Sequence, residues 1–452
     1  MKISIIGTGY VGLVSGTCLA SCGHHLTCVD IRPEVVNQIN RGVAPIYEVD
    51  LEPLLAKVVK SGNLTATTDL CMAVRETDVT LICVGTPTVG NEADLSQLKA
   101  AAKAIGDVLA TKSAYHVIVV KSTVLPGTTE GTVCAAVEKS SGKRLGDGWG
   151  LCMNPEFLRE GRAVEDFNCP DRIVIGASDQ RAAEVLCAMY EIFDCPKIIT
   201  PPKTAEMIKY VSNSLLATLI SFSNEIANLC ASTPGIDARE VWKGVHLDRR
   251  FTPMKADREH PPGVLEYLWH GLGFGGSCFP KDVAALRGFG QKVGLPTAML
   301  DAVLSVNAVQ PMQMISLLER EMNLRGRTVA ILGLAFKPGT DDLRYSPALP
   351  VVSALHERGA DVVVHDPIAM TGAQHDPVLR KARFAQDWPS ALRNADACCL
   401  ITSWPEYRAI TPPDFANLMR TPLVIDGRGF FSPTELAAAG VRWRGIGYTP
   451  VK

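Results

Sequence analysis

A short apolar run at the start of the chain is followed by three closely spaced glycines, Gly7, Gly9 and Gly12. Glycines at this spacing let a strand turn tightly into a helix whose N-terminal N–H groups can approach a pyrophosphate. Asp30 ends the next apolar run, about 20 residues further on, where a carboxylate can accept hydrogen bonds from ribose hydroxyls. The pattern predicts a dinucleotide-binding unit whose contacts are Gly7, Gly9, Tyr10, Val11, Gly12 and Asp30.

The acid at the end of the second strand also bears on which dinucleotide is bound. Asp30 would repel the 2′-phosphate of NADP and accept from the free ribose hydroxyls of NAD. Arg32 lies two residues further on and could accommodate that phosphate, which leaves NADP as an alternative. We predict NAD as the cofactor.

Short apolar runs alternate with helical stretches in two parts of the chain. In the first part, the strands are predicted at residues 3–6, 26–29, 79–84, 117–120 and 173–175. In the second part, they are predicted at residues 328–332, 361–365, 397–401 and 423–425. Because such alternation is typical of parallel, doubly wound sheets, we expect an α/β protein with two Rossmann-like domains.

The segment between these two parts has a helical pattern. Apolar residues recur at three- and four-residue spacing over residues 204–231, which predicts one long helix, and shorter helical pieces continue to about residue 322. We therefore predict three domains: an N-terminal NAD-binding domain at 1–200, a central helical domain at 201–322, and a C-terminal Rossmann-like domain at 323–452.

Composition excludes several classes of partner. The 452 residues carry a formal net charge of −2, so there is no broad basic field for nucleic acid or an anionic membrane. No apolar run reaches the roughly 18 to 20 residues of a membrane span, and no targeting signal is evident, which predicts a cytoplasmic protein. The 14 cysteines are scattered without zinc-site spacing, so neither a metal site nor a disulfide framework is expected.

The most chemically specific segment is Gly-Phe-Gly-Gly-Ser-Cys-Phe-Pro-Lys-Asp at residues 273–282. Its three glycines remove side chains from around Cys278, and Pro280 suits the first turn of a helix. The N-terminus of a helix lowers the pKa of a neighbouring thiol and favours its thiolate. Asp282 would share a face of that helix with Cys278, so its carboxylate could position water against a cysteine adduct.

Two further loops follow predicted strands of the first part. Thr86 lies in the loop after the run at 79–84, and Thr123 lies in the loop after the run at 117–120. Ligands of parallel α/β sheets bind at the carboxyl ends of the strands. Both threonines are therefore expected beside the cofactor.

Taken in order, these motifs resemble the UDP-glucose/GDP-mannose dehydrogenase family over essentially the whole chain. The matching segments are residues 7–12, 85–87, 122–124, 154–160, 205–209, 213, 273–278, 336–337 and 426–428. The resemblance implies NAD-dependent oxidation of the C6 hydroxyl of a nucleotide sugar to a carboxylate, with two NAD reduced per substrate. It also implies that the long helix lies at the interface of a homodimer, which makes 201–322 a dimerisation domain, and that the domain at 323–452 binds the nucleotide sugar.

The resemblance assigns catalytic roles residue by residue. Cys278 would trap an aldehyde as a thiohemiacetal and carry a thioester after the second oxidation. Lys209 would face the developing oxyanion, and Asn213, one turn further along the helix, would fix its position or that of the substrate. The remaining matches imply that water is positioned and activated by Glu156, Thr123 and Asp282.

The resemblance also assigns ligand contacts. Thr86, Thr123, Glu160 and Arg344 match cofactor-contacting positions. Arg250 matches an arginine that crosses the dimer interface to the sugar or phosphate. The other residues expected to bind the nucleotide sugar are Phe157, Leu158, Lys209, Asn213, Phe274, Gly275, Phe336, Lys337 and Arg428. Fixed cations such as arginine suit recognition of a diphosphate.

The chain departs from the family pattern in two places. Residues 254–264 resemble an insertion of about ten, whose polar, proline-rich composition predicts a surface loop. This insertion could change substrate choice or subunit contact, or have no effect on either. Tyr345 stands where the family usually has glutamate, so Arg344 is expected to lack its usual acidic neighbour.

Several alternatives remain open from the sequence. The C-terminal segments 426–428 and 441–447 resemble the UDP-glucose branch, while residues 154–160 and 205–210 fit the GDP-mannose branch equally well. Another UDP-hexose, such as a UDP-N-acetylhexosamine, is also compatible with the motifs. A simple hydroxyacid dehydrogenase would need no Cys278, and a non-catalytic NAD or nucleotide-sugar sensor would not need the full catalytic set.

Overall fold

A computed structural model describes residues 1–89, 92–255, 258–259 and 262–449. The chain forms two compact units, Met1–Ser212 and Asn213–Lys452. In the described part of the chain, no helix is long and apolar enough to cross a membrane. The same residues contain no group of three or more His, Cys, Asp or Glu side chains that could hold a metal ion.

The first unit is built on an eight-stranded sheet. Its strands and a short hairpin (β5, β6) are β1 Lys2–Ile6, β2 His25–Val29, β3 Leu64–Thr67, β4 Val79–Ile82, β5 Thr88–Val89, β6 Glu92–Ala93, β7 His116–Val120, β8 Trp149–Met153, β9 Ile173–Ala177 and β10 Lys197–Thr200. The order is β10-β9-β8-β7-β4-β1-β2-β3, and only the β8–β9 pair is antiparallel. β7 is buried along its whole length, as a central parallel strand covered on both faces must be.

Helices cover both faces of this sheet. They are α1 Tyr10–Ser21, α2 Pro33–Asn40, α3 Leu51–Lys60, α4 Leu70–Glu76, α5 Ser96–Leu109, a π-helix at Thr128–Val133, α6 Cys134–Ser141, α7 Ala163–Asn168, α8 Gln180–Met189 and α9 Pro202–Ala231. One core packs α1, α2, α3, α7 and α8 against the sheet. A second core packs α4, α5 and α6 on the opposite face.

The long helix α9 begins in the first unit and ends in the second. Proline stands at its first position, where a missing N–H costs no hydrogen bond. No further proline or glycine follows until the Thr-Pro-Gly segment just beyond its end, so nothing interrupts its hydrogen-bond ladder. The predicted single helix is therefore confirmed.

The second unit contains a six-stranded, fully parallel sheet and a separate hairpin (β11, β12). The strands are β11 Met254–Lys255, β12 Arg258–Glu259, β13 Thr328–Leu332, β14 Asp361–His365, β15 Arg383–Phe384, β16 Ala397–Leu400, β17 Leu423–Asp426 and β18 Arg442–Gly445. The sheet order is β15-β14-β13-β16-β17-β18. In both large sheets, the order in which strands are added reverses beside the first strand, β1 or β13, as in doubly wound folds.

The helices of the second unit divide between a helical segment and the faces of its sheet. They are α10 Ala238–His246, α11 Phe279–Lys292, α12 Ala298–Val309, α13 Met312–Glu321, α14 Ala348–Glu357, α15 Met370–Ala373, α16 Trp388–Leu392, α17 Pro412–Leu418 and α18 Pro433–Ala438, with 3₁₀ turns at Gly263–Tyr267, Leu379–Lys381 and Pro405–Ala409. α13 and α14 pack on one face, and α16, α17 and α18 pack on the other.

The α/β class with two Rossmann-like sheets and a long central helix is confirmed, while some details differ from expectation. The strand expected at 79–84 stops at Ile82, because the chain leaves the sheet for the loop that contains Gly85 and Pro87. The strand expected at 397–401 likewise ends at Leu400. The division into three domains at 200 and 322 stays a prediction.

The insertion at 254–264 is more than the surface loop expected. Its first part pairs as an antiparallel hairpin, with Met254 opposite Glu259 and Lys255 opposite Arg258. Residues 256, 257, 260 and 261 lie outside the described residues. The effect of this segment on substrate choice stays a prediction.

Candidate active site

The glycine loop between β1 and α1 has the geometry of a pyrophosphate cradle. Gly7 has φ +95°, and its N–H donates to the Val29 carbonyl at 2.8 Å. A Cβ at Gly12 would lie 1.9 Å from the Gly7 carbonyl oxygen, so close packing of the helix requires glycine there. A Cβ at Gly9 would meet nothing within 4 Å, which leaves open space beside the N-terminus of α1. The loop therefore fits a bound phosphate group.

Asp30 follows β2 at the edge where the ribose of a dinucleotide would bind. It accepts a hydrogen bond from the Thr8 hydroxyl at 2.5 Å and from Arg32 Nε at 3.0 Å. Burial alone would raise the pKa of Asp30, but the Arg32 and Thr8 contacts lower it to about 2. The carboxylate is thus ionised at neutral pH and available as an acceptor for a ribose hydroxyl.

A buried glutamate ties the loop that contains Glu160 to the start of α1. The Tyr10 hydroxyl donates to Glu48, whose carboxylate also accepts the N–H groups of Gly161 at 2.7 Å and Ala163 at 2.8 Å. Burial and the neighbouring Glu48 carboxylate raise the pKa of Tyr10 far above its usual range. Sequence reasoning missed Glu48, because its partner at 161 is distant in sequence and no motif marks the pair.

The two loop threonines meet at the carboxyl edge of the first sheet. The Thr86 hydroxyl donates to the Thr123 carbonyl at 2.8 Å, and the Ser122 hydroxyl donates to the Val84 carbonyl at 2.7 Å. Residues after β4 and β7 are therefore held side by side. The expected contact of Thr86 and Thr123 with the cofactor stays a prediction.

A second buried glutamate fixes the turn after this loop. The Glu206 carboxylate, on α9, accepts the N–H groups of Gly127 at 2.5 Å and Thr129 at 2.8 Å. Burial raises the pKa of Glu206 above its usual value. Glu206 lies one turn before Lys209 on the helix, so the same contact anchors the segment of α9 that presents Lys209.

Lys209 and Glu156 form a buried ion pair in the first unit. Lys209 Nζ lies 2.9 Å from Glu156 Oε1, with side chains 3% and 6% exposed, respectively. Glu156 also accepts the Leu158 N–H at 2.7 Å. Burial alone would raise the pKa of Glu156, but the charge and hydrogen bond of Lys209 lower it below its usual value. The pair is therefore ionised inside the protein.

A second buried cation lies near this pair. Lys121 donates to Asn154 Oδ1 at 2.9 Å, and burial lowers the pKa of Lys121. Two buried amines, those of Lys121 and Lys209, therefore lie near the Glu156 carboxylate. A cavity of about 280 Å³ opens beside Lys121 and Glu156, and its wall carries charges of both signs: Lys121, Arg159, Arg162, Arg172, Glu156, Glu165, Asp166 and Asp171.

In the second unit, Cys278 lies where the sequence predicted, at the N-terminus of a helix. It is the N-cap residue of α11, Pro280 falls in the first turn, and the Cys278 carbonyl accepts the Asp282 N–H at 2.9 Å. The thiol is partly exposed, with Ser277 Oγ 3.6 Å from its sulfur. This geometry gives a nucleophile that is accessible and close to positive backbone dipoles.

Asp282 is buried behind Cys278 rather than open to solvent. Its carboxylate accepts from Asn213 Nδ2 at 2.6 Å and forms an ion pair with Lys281. Only 1% of its side chain is exposed. The structure thus joins two predicted catalytic residues, Asn213 and Asp282, in a single hydrogen bond.

The glycines before Cys278 are required by the segment that packs against them. A Cβ at Gly275 would lie 2.3 Å from the Tyr345 carbonyl oxygen, and one at Gly276 would lie 2.7 Å from the Phe336 ring. The Gly276 N–H also donates to the Arg344 carbonyl at 2.8 Å. Phe336, Gly275 and the backbone of Arg344, three predicted ligand-contacting positions, are therefore neighbours.

The expectation that Arg344 lacks an acidic neighbour is wrong. Arg344 Nη2 lies 2.8 Å from Asp342 Oδ2, because the intervening turn brings these side chains together. Tyr345, which replaces the usual glutamate, has φ +54° and a side chain that is 62% exposed. Arg344 thus has an acidic partner at position 342, although position 345 is not acidic.

The remaining predicted cations occupy different environments. Arg428 Nε donates to the Ile401 carbonyl at 2.7 Å, and burial lowers the pKa of Arg428 to about 10. Lys337 Nζ lies 5.6 Å from the centroid of the Phe336 ring. Arg250 is 85% exposed and contacts Asp248 at 2.5 Å in its own turn.

Comparison with known proteins gives matches along the chain. Sequence profiles of the UDP-glucose/GDP-mannose dehydrogenase family match residues 1–194 as the NAD binding domain, 203–309 as the central domain and 330–433 as the UDP binding domain. The UDP-glucose 6-dehydrogenase TuaD of Bacillus subtilis is 41% identical, over 100% of this chain and 94% of its own. AglM of Haloferax volcanii, also a UDP-glucose 6-dehydrogenase, is 42% identical, over 96% and 98%.

A solved structure gives the same result for the fold. The UDP-glucose dehydrogenase of Pyrobaculum islandicum superposes with a TM-score of 0.88 at 41% identity. The superposition covers 99% of this chain and 98% of that one.

Proposed function

Because the chain belongs to the UDP-glucose/GDP-mannose dehydrogenase family, we propose that it oxidises UDP-glucose to UDP-glucuronate with NAD as cofactor. The observation that carries the covalent part of this proposal is Cys278, a partly exposed thiol at the N-terminus of α11. A simple alcohol dehydrogenase needs no such nucleophile. An oxidation that proceeds from alcohol to acid needs a nucleophile if the intermediate aldehyde is to stay bound.

The reaction balances as two oxidations and one hydrolysis. The C6 hydroxyl loses a proton and a hydride to give an aldehyde, and the Cys278 sulfur adds to that carbon as a thiohemiacetal. Loss of a second hydride from C6, together with the proton of its hydroxyl, gives a thioester, which water cleaves to release the carboxylate, a proton and the free thiol. NAD, when bound, accepts the hydride in each oxidation. The glycine loop before α1 and the Asp30 carboxylate would hold it.

The buried charges of the first unit suit the oxyanions of this sequence. Each tetrahedral adduct at C6 carries an oxygen that gains negative charge, and the Lys209 ammonium is a fixed donor in a dry site. Glu156, ionised beside Lys209, would accept the proton of the attacking water, and Thr123 would orient that water. Glu160 lies on the loop that is fixed by Glu48, and it would contact the cofactor from there.

In the second unit, Asn213 and Asp282 serve the same steps from beside the thiol. Their hydrogen bond fixes the orientation of the Asn213 amide. Asp282 would help to activate the water that cleaves the thioester. These assignments follow the family motifs and the contacts of the described residues.

The nucleotide-sugar contacts are proposed from charge and position. Arg428 and Lys337 provide cations for the diphosphate, and Phe336 provides a flat apolar surface beside the glycine loop. The other contacts proposed are Phe157, Leu158, Phe274, Gly275 and the backbone around Arg344. The cytoplasmic location expected from the sequence stays a prediction.

We propose a homodimer from one face of α9. Four apolar side chains at spacings of four and seven residues are 49% to 62% exposed in the single chain: Val211, Leu215, Phe222 and Leu229. An apolar stripe at this period is stable only when another surface covers it. Arg250 would reach the nucleotide sugar of the second copy, consistent with its exposure here.

Mixing two inactive variants tests this arrangement. Arg250→Ala and Cys278→Ala, each nearly inactive alone, should form hybrid dimers with one intact site after subunit exchange. Random pairing predicts roughly a quarter of wild-type activity, because half the dimers are hybrids with one good site each. If native mass spectrometry shows hybrids but no activity returns, Arg250 does not act across the interface.

Asp30 is expected to set both cofactor affinity and cofactor choice. Asp30→Ala should raise the KM for NAD roughly tenfold or more, since the ribose loses a charge-assisted hydrogen bond of about 1.5–3 kcal/mol. The same change should narrow the preference for NAD over NADP, because the 2′-phosphate no longer meets a carboxylate. Equal turnover of NAD and NADP by the unmodified protein would contradict this role.

The proposed substrate is tested by a panel of nucleotide sugars at equal concentration, scored by NADH formation. UDP-glucose should give the highest kcat/KM, with two NADH formed for each sugar consumed. GDP-mannose and UDP-N-acetylhexosamines serve as the competing substrates, and a higher kcat/KM for either would replace UDP-glucose in the proposal.

A further inference from the structure

We propose that three amide side chains, Asn224, Asn307 and Gln310, hold the loop at residues 271–276 and thereby position the Cys278 thiol. We call these three side chains the amide cradle. They are positioning residues, since their contacts are to the backbone of the loop. The inference rests on the proposed role of Cys278 as the nucleophile.

Asn307, on α12, binds one residue of the loop by both of its backbone groups. Its Oδ1 accepts the Phe274 N–H at 2.7 Å, and its Nδ2 donates to the Phe274 carbonyl at 3.0 Å. The amide thus replaces the pairing that a neighbouring strand would provide. Gly273, with φ +89°, makes this approach possible, since a Cβ there would lie 2.4 Å from Asn307 Oδ1.

The other two amides bind the start of the loop in the same manner. Asn224 Oδ1 accepts the Gly271 N–H at 2.7 Å, and Gln310 Nε2 donates to the Gly271 carbonyl at 2.8 Å. Both side chains are fully buried. Asn228 donates in turn to Gln310 Oε1 at 2.9 Å, which fixes the orientation of that amide. Side chains from α9, from α12 and from the residue that follows α12 therefore fix this segment.

A loop of this composition needs such contacts. Gly273, Gly275 and Gly276 give its backbone more freedom than other residues would, and buried N–H and C=O groups without partners are costly. The thiol must reach the aldehyde carbon within a narrow range of distance and angle. A displacement of about 1 Å can lower a rate by roughly 10²-fold.

The chain supplies a matched control for this inference. Asn40, at the end of α2, makes the same pair of hydrogen bonds to the backbone of Ala66, at 2.8 Å to the N–H and 2.9 Å to the carbonyl. It lies in the first unit, where it joins α2 to β3. Asn40→Ala thus removes the same chemical pair without touching the loop before Cys278.

The experiment compares Asn307→Ala with Asn40→Ala in the full-length protein. Asn307→Ala should lower kcat by about 100-fold while the KM for NAD, which binds in the first unit, changes less than about threefold. Asn40→Ala should keep near wild-type kcat despite a similar loss in Tm. If the alanine variant does not fold, Asn307→Asp takes its place in the comparison. The aspartate keeps the size and the acceptor but loses the donor, and it should lower kcat at least tenfold.

A readout without turnover separates this inference from the proposed function. Alkylation of Cys278 by iodoacetamide, followed across pH by peptide mass spectrometry, reports how well the helix N-terminus favours the thiolate. In Asn307→Ala, the pH of half-maximal alkylation should move upward by about one unit, whereas in Asn40→Ala it should not move. Equal behaviour of the two variants in kcat and alkylation would overturn the inference. Failure of the unmodified protein to oxidise any nucleotide sugar would instead overturn the proposed function.

Discussion

Cys278→Ser should bind NAD and UDP-glucose with near wild-type affinity yet turn over at least roughly 10³-fold more slowly. A serine hydroxyl has similar shape but ionises far less readily than a thiol, so attack on the aldehyde is slow. An oxygen ester is also a poorer acyl group to hydrolyse than a thioester. Isothermal titration measures the affinity for the two ligands, and steady-state NADH formation measures the turnover rate.

The same variant should trap the intermediate. If the serine ester forms, the peptide that contains residue 278 gains the mass of the uronyl nucleotide after incubation with UDP-glucose and NAD. Cys71→Ser, a replacement of an exposed cysteine in the first unit, is the matched control and should show neither the adduct nor the rate loss. Near-normal kcat in Cys278→Ser would argue that the residue at 278 is not the nucleophile.

Lys209→Met should show the second largest effect, on rate and on stability together. Loss of the fixed ammonium removes a donor to the oxyanion, which predicts a fall in kcat of about 10²- to 10³-fold. The same change leaves the Glu156 carboxylate buried without its partner, which costs about 3–5 kcal/mol of unfolding free energy. Lys203→Met, on the same helix but 66% exposed, should change neither quantity appreciably.

The pH dependence of this destabilisation has a definite sign. In the unmodified protein, the lowered pKa of Glu156 contributes stability above its usual value of 4.5, and this contribution is lost as the pH falls below that value. In Lys209→Met, burial is no longer opposed by the ammonium, so the pKa of Glu156 rises and protonation relieves the cost. The difference in unfolding free energy should therefore shrink as pH is lowered from 7 towards 5. A constant difference across this range would show that Glu156 is not the group left uncompensated.

Much of the fold follows from local patterns. The apolar runs that form β1, β2, β7, β13 and β14 are rich in β-branched or aliphatic residues. Such a run indicates a strand of a parallel sheet that is buried on both faces, so these strands could be predicted. Five strands of the two large sheets escaped prediction: β3, β8, β10, β15 and β18. Two of them have sequences that are not typical of strands, since β8 contains Trp149 and Gly150, and β18 is Arg-Trp-Arg-Gly. These segments are strands because they pair with neighbouring strands, and such pairing depends on the tertiary structure.

The candidate site likewise contains residues that could be placed from the sequence and residues that could not. Cys278 could be placed at a helix N-terminus because Pro280 and the flanking glycines are contiguous with it in sequence. Glu48 and Asn307 could not, since they act on backbone groups 113 and 33 residues away. A single glutamate or asparagine has no spacing signature. Its role emerges only when the fold brings a distant loop to it.

The most direct test of the account is acid formation by Cys278→Ala, which offers no nucleophile at that position. UDP-glucuronate and NADH are measured together over a single incubation with UDP-glucose and excess NAD. The account predicts loss of acid formation by at least roughly 10³-fold, with at most a trace of aldehyde and a single NADH per aldehyde. Steady-state production of UDP-glucuronate near the wild-type rate, with two NADH per sugar, would contradict covalent catalysis by Cys278.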